Sequence, residues 1–266
     1  MKRNVAALLA VAASAFLATG CNKLKARDNL NRGVQAYKNT QYTQAVERFE
    51  EAVKLDPSFP TARLYLAMAY YMQYIPGADS PENQQMADHA MDQFQKVLAQ
   101  EPKNDVAMKS IASLFYNEKK WSDAESWYKK EIDLNPKDKE AYYTLGVIAW
   151  SRWYPVYGAA RAKLGMKPED PGPIKDKKVK EELKTQYLPV ITEGIQNLQK
   201  ALDIDKEYDD AMAYMNLLIR EKADLDDTPE EYKKDVETAD NWVQKTLETK
   251  KIKAERKPIS TGINAQ

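Results

Sequence analysis

The chain has 266 residues with 40 basic and 40 acidic side chains. It therefore lacks the excess of basic side chains that is typical of proteins that bind nucleic acid. Its single cysteine cannot form an intramolecular disulfide, and any catalytic triad would depend on its single histidine. The nine glycines include no GxxxxGK[ST] or GxGxxG motif, so a phosphate-binding loop is not expected.

The N-terminus is predicted to be a cleaved export signal. Lys2 and Arg3 precede an apolar stretch, residues 5–17, in which only Ser14 is polar. A helix of that length spans about 20 Å, which is shorter than the bilayer hydrocarbon core of roughly 30 Å. The stretch is therefore too short for a spanning anchor, and together with the small residues that follow it matches a secretory signal over residues 1–20.

The segment LATGC, residues 17–21, resembles the lipobox of bacterial lipoproteins, in which the cysteine becomes the lipid-carrying first residue. It departs at Ala18, where leucine is usual. The resemblance implies that Cys21 carries acyl chains such as palmitate and that residues 21–25 form a short linker. Asn22, in place of aspartate, implies the outer membrane, with the protein facing the periplasm. The alternative is ordinary signal cleavage that leaves a free thiol.

The rest of the chain repeats a helical pattern. Three copies share an alanine, an aromatic residue four positions later and a proline twelve positions after the alanine: Ala45/Phe49/Pro57, Ala90/Phe94/Pro102 and Ala124/Tyr128/Pro136. A fourth copy aligns Gly194, Leu198 and Ala201 without the proline. An amphipathic stretch with a small residue at its middle precedes each of the four copies; these residues are Gly33, Ala67, Ala112 and Gly146. A fifth stretch begins at Ala211.

This pattern resembles the tetratricopeptide repeat (TPR), a helix-turn-helix unit of 34 residues. Small residues let two helices approach closely, the aromatic residue fills the seam, and the proline ends the second helix. Because no repeat buries its apolar face alone, stacked repeats share one core. The resemblance implies an all-α fold, a right-handed superhelical solenoid of about five repeats over residues 26–256, with insertions in repeats 2, 4 and 5.

Two insertions interrupt the repeats. The first, about residues 75–85, separates the helices of the second repeat, and Ser80 is predicted to cap the helix that follows it. The second, residues 153–188, lies in the fourth repeat, and Pro189 is predicted to mark where the second helix of that repeat restarts. Loops of this length are usually functional or disordered.

The C-terminal part of the chain is predicted to end in one long helix. Thr228 and Glu231 form a capping-box pattern, and the helix it opens is expected to reach about Arg256. The last residues, 257–266, have no periodicity and are expected to be disordered.

Few residues could carry out chemistry. His89 has no companion His or Cys at metal-ligand spacing and is predicted to be an exposed or partly packed helical residue. The carboxylates are mixed with lysines on helices, which is typical of a solvated face. An enzyme is therefore disfavoured, and no cofactor or metal is expected.

The first helices of TPR proteins commonly line a groove that binds peptides or proteins, and aromatic residues recur there four positions after the small residues. The groove set comprises Tyr37, Leu64, Met68, Tyr71, Lys109, Tyr116, Tyr143 and Trp150. Ile219 takes the aromatic position in the fifth copy. Two interpretations explain why aromatic residues recur at these positions. They could contact a partner, or they could serve packing alone, because the repeat pattern also favours tyrosine at partly buried positions.

The second insertion is rich in the residue types favoured at binding hot spots. Its predicted contact residues are Arg152, Trp153, Tyr154, Tyr157 and Arg161. The alternative is a local flap whose aromatic side chains cover the end of the groove.

The sequence as a whole favours a lipid-anchored, periplasm-facing adaptor that binds a protein or peptide partner through its groove. The alternative is a receptor for a small ligand or a glycan, in which the aromatic insertion forms the binding site. A closed aromatic pocket beneath residues 152–165 would favour that receptor, whereas an open groove would suit an extended peptide.

Overall fold

The computed structural model describes residues 21–167 and 170–256, which are helical with no strand. The predicted signal at 1–20 and the predicted tail at 257–266 lie outside these residues. The helices are α1 (residues 21–38), α2 (Tyr42–Leu55), α3 (Pro60–Tyr71), α4 (Pro81–Gln100), α5 (Asp105–Asn117), α6 (Trp121–Leu134), α7 (Lys139–Lys163), α8 (Lys177–Ile204), α9 (Asp209–Ala223) and α10 (Pro229–Arg256).

The chain forms two compact units that divide between Trp127 and Tyr128, within α6. In the first unit, α3 packs against α2 and α4, and α4 packs against α5. In the second unit, α8 packs against α7 and α9, and α9 packs against α10 and α7. Each unit has its own hydrophobic core.

Small residues hold the paired helices close together, as the repeat pattern predicts. A Cβ atom on Gly33 would lie 2.4 Å from Cε1 of Phe49, and one on Gly146 would lie 2.5 Å from Cγ of Leu198. Gly194 of α8 is equally close to α7, since its Cβ would lie 2.5 Å from that of Ala149. A side chain at any of these positions would require the facing side chain to move.

The aromatic residues of the repeat pattern fill the seams between helices. Phe49 and Phe94 are fully buried in the core of the first unit, where Ala45 and Ala90 are buried beside them. Tyr128, the matching residue of the third copy, is also buried. The predicted role of this position in packing is confirmed.

Both predicted helix starts are confirmed by hydrogen bonds. The hydroxyl of Ser80 accepts from the backbone N–H of Asn83 at 3.1 Å at the start of α4. At α10, Thr228 Oγ1 accepts from the N–H of Glu231 at 3.2 Å, and the Glu231 carboxylate accepts from the Thr228 N–H at 3.1 Å. The second pair is a capping box.

The first insertion is a short loop anchored by one buried side chain. Asn83 accepts from the N–H of Ile75 at 2.7 Å and donates to the carbonyls of Ile75 and Ala78 at 2.9 and 2.8 Å. The loop backbone thereby gains partners that it lacks from regular structure.

Two sequence expectations about helix boundaries were wrong. Residues 21–25 are the first turn of α1 rather than a linker. Pro189 does not restart a helix, because α8 runs through it from Lys177 to Ile204, and Pro155 likewise lies inside α7. Both prolines are exposed, so water can satisfy the carbonyls that lose a backbone donor. Most of the second insertion therefore continues α7 and α8, and the described residues outside these helices are 164–167 and 170–176.

Candidate functional site

The first unit presents one candidate surface, formed by predicted groove residues on its first helices. This first-helix surface comprises Tyr37 on α1, Leu64, Met68 and Tyr71 on α3, and Lys109 and Tyr116 on α5, all of them half-buried. The hydroxyl groups of Tyr71 and Ser113 share a 2.7 Å hydrogen bond, which joins α3 to α5. The structure therefore brings two first helices together.

The tyrosine rings of this surface are held by internal neighbours. The ring of Tyr37 meets that of Tyr42 edge to face at 5.4 Å between centroids, and Tyr116 meets Trp121 at 5.5 Å. Burial raises the pKa of Tyr37, and its neighbouring tyrosines raise it further. Tyr37 and Tyr71 pack against the core and keep part of their surface exposed, and contacts of this kind preorganise a binding surface.

The second unit presents a separate aromatic patch on α7 and α9. We use the name α7–α9 patch for Tyr143, Trp150, Tyr154 and Tyr214. The rings of Trp150 and Tyr154 stack at 4.7 Å with an interplanar angle of 21°. Tyr214 meets Trp150 at 5.5 Å and Tyr143 at 5.7 Å, edge to face in both cases. These are favourable aromatic geometries, and Tyr154 keeps 44% of its surface exposed.

A buried carboxylate lies behind this patch. Glu221 of α9 is 6% exposed, and its Oε1 accepts a 3.0 Å hydrogen bond from Nε1 of Trp150. Its Oε2 has no hydrogen-bond partner. Burial raises the pKa of Glu221 to about 7, and the nearby charge of Asp224 adds to the increase. The indoles of Trp150 and Trp153 act against it, although Nε1 of Trp153 lies outside normal hydrogen-bond geometry.

The five predicted contact residues of the insertion divide into two groups. Trp153 is fully buried and Arg161 is 4% exposed, so both belong to the interior of the unit and not to a contact surface. Tyr157 is half-buried and donates a 2.8 Å hydrogen bond to Asp224. Arg152 is half-buried, and Tyr154 is the exposed aromatic residue of the set. The helical course of α7 decides this division, since it turns Trp153 and Arg161 inward.

A buried ion pair organises the non-helical part of the insertion. Arg161 pairs with Asp224, and its guanidinium also donates to the carbonyls of Lys167 and Asp170. The backbone N–H of Ile174 donates to the carbonyl of Asp224 at 3.0 Å. Burial raises the pKa of Asp224, while Tyr157 and Arg161 oppose the increase. These bonds fix the loop to the end of α9.

The described part of the loop carries an open cleft. The cleft has a volume of about 310 Å³ and is lined by residues such as Leu164, Pro171, Pro173 and Lys175. None of its lining residues is aromatic. It does not match the closed aromatic pocket that a small-ligand receptor would require beneath residues 152–165.

Sequence reasoning missed Tyr214, Glu221 and Asp224. It placed Ile219 in the ladder of aromatic positions, whereas Ile219 is buried and Tyr214 meets the α7 aromatic residues. Glu221 and Asp224 stand among many acidic residues on helices, and no sequence signal separates a buried carboxylate from a solvated one. For Tyr214 the sequence did contain a signal, because it is the aromatic residue of the fifth helical stretch.

Metal-ligating residues do not converge in the part of the chain that the structure describes. His89 is exposed on α4, as predicted, and its ring lies 5.0 Å from that of Tyr70. Across residues 21–167 and 170–256, no three His, Cys, Asp or Glu side chains are arranged to hold a metal ion. In the same part of the chain, no helix has the length and apolar character needed to cross a bilayer.

Comparisons with known proteins agree with the repeat fold. The TPR repeat family matches residues 35–73. A crystal structure of MamA is similar with a TM-score of 0.56 and 15% identity over 88% of this chain and 96% of that chain. MamA from Desulfovibrio magneticus RS-1 has a TM-score of 0.57 and 18% identity over 85% and 96%. No curated protein gives a significant match.

YrrB, a TPR protein with an unusual peptide-binding site, is similar with a TM-score of 0.51 and 15% identity over 84% of this chain and 90% of that chain. Identities at this level show the fold alone. The chain therefore has the all-α fold of TPR solenoid proteins.

Proposed function

We propose that the protein is an adaptor that binds a peptide segment of a partner protein through its first helices. The observation that carries this proposal is the exposure of the predicted groove residues: all eight are half-buried, on α1, α3, α5 and α7. Internal contacts hold aromatic rings of this set, such as those of Tyr116 and Trp150, in place. Binding a partner would therefore cost little conformational entropy at these side chains. YrrB, which shares the fold, has a peptide-binding site. TPR proteins are generally non-enzymatic scaffolds, which favours an adaptor over an enzyme.

We further propose that a lipid on Cys21 tethers the adaptor to the outer membrane on its periplasmic side. The lipobox resemblance supports this tether, and Cys21 is exposed with a free thiol. Lys23, Lys25 and Arg27 are exposed on the first turns of α1, where each could contribute about 1 kcal/mol with anionic lipid. Two or more acyl chains would make this attachment stable.

Affinity capture from detergent-solubilised envelopes tests the adaptor. The variant Tyr71→Ala/Tyr116→Ala/Trp150→Ala should lose partners that the wild type recovers. A control with exposed apolar residues truncated on α10, Leu247→Ala/Ile252→Ala, should retain them. The milder variant Tyr154→Ala tests the second unit with little risk to folding. If every variant recovers the wild-type set of partners, the groove does not bind them.

Membrane fractionation tests the tether. Cys21→Ser should move the protein from the membrane to the soluble fraction and should abolish incorporation of labelled palmitate. Lys23→Ser is a matched control that leaves the cysteine in place and should stay with the membrane. Tight membrane association of Cys21→Ser would rule out the lipid as the anchor.

A further inference from the structure

The α7–α9 patch has an acidic edge. Glu140 lies one turn before Tyr143 on α7, and Asp210 lies one turn before Tyr214 on α9. Both approach Tyr208, whose hydroxyl donates to the Glu140 carboxylate. Burial raises the pKa of Tyr208, and the neighbouring groups Glu140, Tyr143 and Asp210 raise it further.

The two edge carboxylates make no ion pair in the part of the chain that the structure describes, although Lys139, which pairs with Asp205, also attracts Glu140. Both belong to exposed residues. The nearby basic residues already form ion pairs with other carboxylates. These pairs are Lys139–Asp205, Lys253–Asp209 and Arg220–Asp240. The edge therefore carries an excess of negative charge that a positively charged ligand would neutralise.

The aromatic rings add a second attraction for a cation. The face of a tyrosine or tryptophan ring attracts an ammonium or guanidinium group within about 6 Å of its centroid. The Nζ atom of Lys139 already lies 4.9 Å from the centroid of Tyr208, at the edge of this patch.

We propose that the α7–α9 patch binds a basic side chain, lysine or arginine, of an extended peptide. The inference rests on the adaptor function proposed above and specifies the chemistry of its partner. Along α7 the patch extends from Tyr143 to Tyr154, or about 16 Å, which matches roughly five residues of extended chain. The basic group lies against the rings of Tyr143 and Tyr214, within reach of Glu140 and Asp210.

Fluorine NMR of the full chain labelled with 5-fluorotryptophan, in non-ionic detergent, tests this proposal. The probes are short acetylated and amidated Gly/Ser peptides that carry lysine, norleucine or glutamate at the same alternating positions. The Trp150 resonance is assigned with Trp150→Phe, and the Trp121 and Trp242 resonances are internal references. The lysine peptide should shift the Trp150 resonance alone, and the norleucine peptide should bind about tenfold more weakly.

Paired charge variants complete the test. Glu140→Gln/Asp210→Asn should weaken binding of the lysine peptide about tenfold. Asp133→Asn/Glu230→Gln removes two other exposed carboxylates and should leave binding unchanged. Equal binding of the three peptides, preference for glutamate or absence of binding would each overturn the basic-side-chain proposal. The adaptor function is decided separately, by the loss or retention of captured partners in the groove variants.

Discussion

Nε1 of Trp150 donates a 3.0 Å hydrogen bond to Oε1 of Glu221, so an aromatic residue of the α7–α9 patch rests on a buried carboxylate. The charge of Asp224, the residue that follows α9, helps to raise the pKa of Glu221, and Asp224 itself accepts a hydrogen bond from Tyr157 and pairs with Arg161. The relationship joins the exposed patch to the polar interior of the second unit. It also makes the stability of the unit dependent on pH.

Glu221→Gln should change the pH dependence of stability. The pKa of Glu221 rises from 4.5 to about 7 on folding, so within this window the native protein binds a proton that the unfolded chain has released. The contribution of Glu221 to the free energy of unfolding therefore falls as pH rises, by at most about 3 kcal/mol. Urea unfolding at several pH values should show the variant gaining stability relative to wild type as pH rises through the window.

The control for this measurement is Glu230→Gln, which changes an exposed carboxylate at the start of α10. Its stability relative to wild type should vary much less over the same pH range. A Glu221→Gln difference that stays constant with pH would show that Glu221 does not titrate in this window.

Arg161→Leu should destabilise the second unit by about 3–5 kcal/mol, because it leaves Asp224 buried without its cation. The double variant Arg161→Leu/Asp224→Leu removes both charges and should cost less than the single variant. Urea unfolding measures the cost, and hydrogen exchange at residues 170–176 should report faster opening in the single variant. If the double variant costs as much as the two single variants summed, the pair is not coupled.

Two glycines of α7 should respond oppositely to alanine. Gly146→Ala places a Cβ 2.5 Å from Cγ of the fully buried Leu198, and we expect a loss of about 1–3 kcal/mol from overpacking. Gly158→Ala meets nothing within 4 Å and should gain up to about 1 kcal/mol from helix propensity. Thermal unfolding of the two variants measures both effects. Equal shifts would contradict the close contact between α7 and α8.

The bond between Tyr71 and Ser113 should contribute measurably to the contact of α3 with α5. A double-mutant cycle with Tyr71→Phe and Ser113→Ala isolates it, and we expect a coupling free energy of about 1 kcal/mol. A matched cycle that pairs Tyr71→Phe with Ser122→Ala, whose serine is exposed on α6, should give no coupling. A coupling near zero in the first cycle would show that the two first helices are not joined at this point.

Much of the helical framework could be predicted because it depends on contacts close in sequence. Ser80 and Thr228 cap helices through residues three positions away, and Gly33, Ala45 and Phe49 follow the helical period. The boundaries at residues 21–25 and at Pro189 were mistaken. A proline predicts a break, whereas an exposed face of a long packed helix tolerates one.

The sequence by itself determined the repeat, the positions of close helix approach and the aromatic residues that fill the seams, since each is a periodic property of one or two neighbouring helices. Only the tertiary structure decided that Trp153 and Arg161 are buried, that Tyr154 stays exposed, and that Glu221 lies behind Trp150. Arg161 and Asp224 are 63 residues apart in the chain. The burial of a polar side chain depends on which distant segment covers it, and no local pattern records that segment.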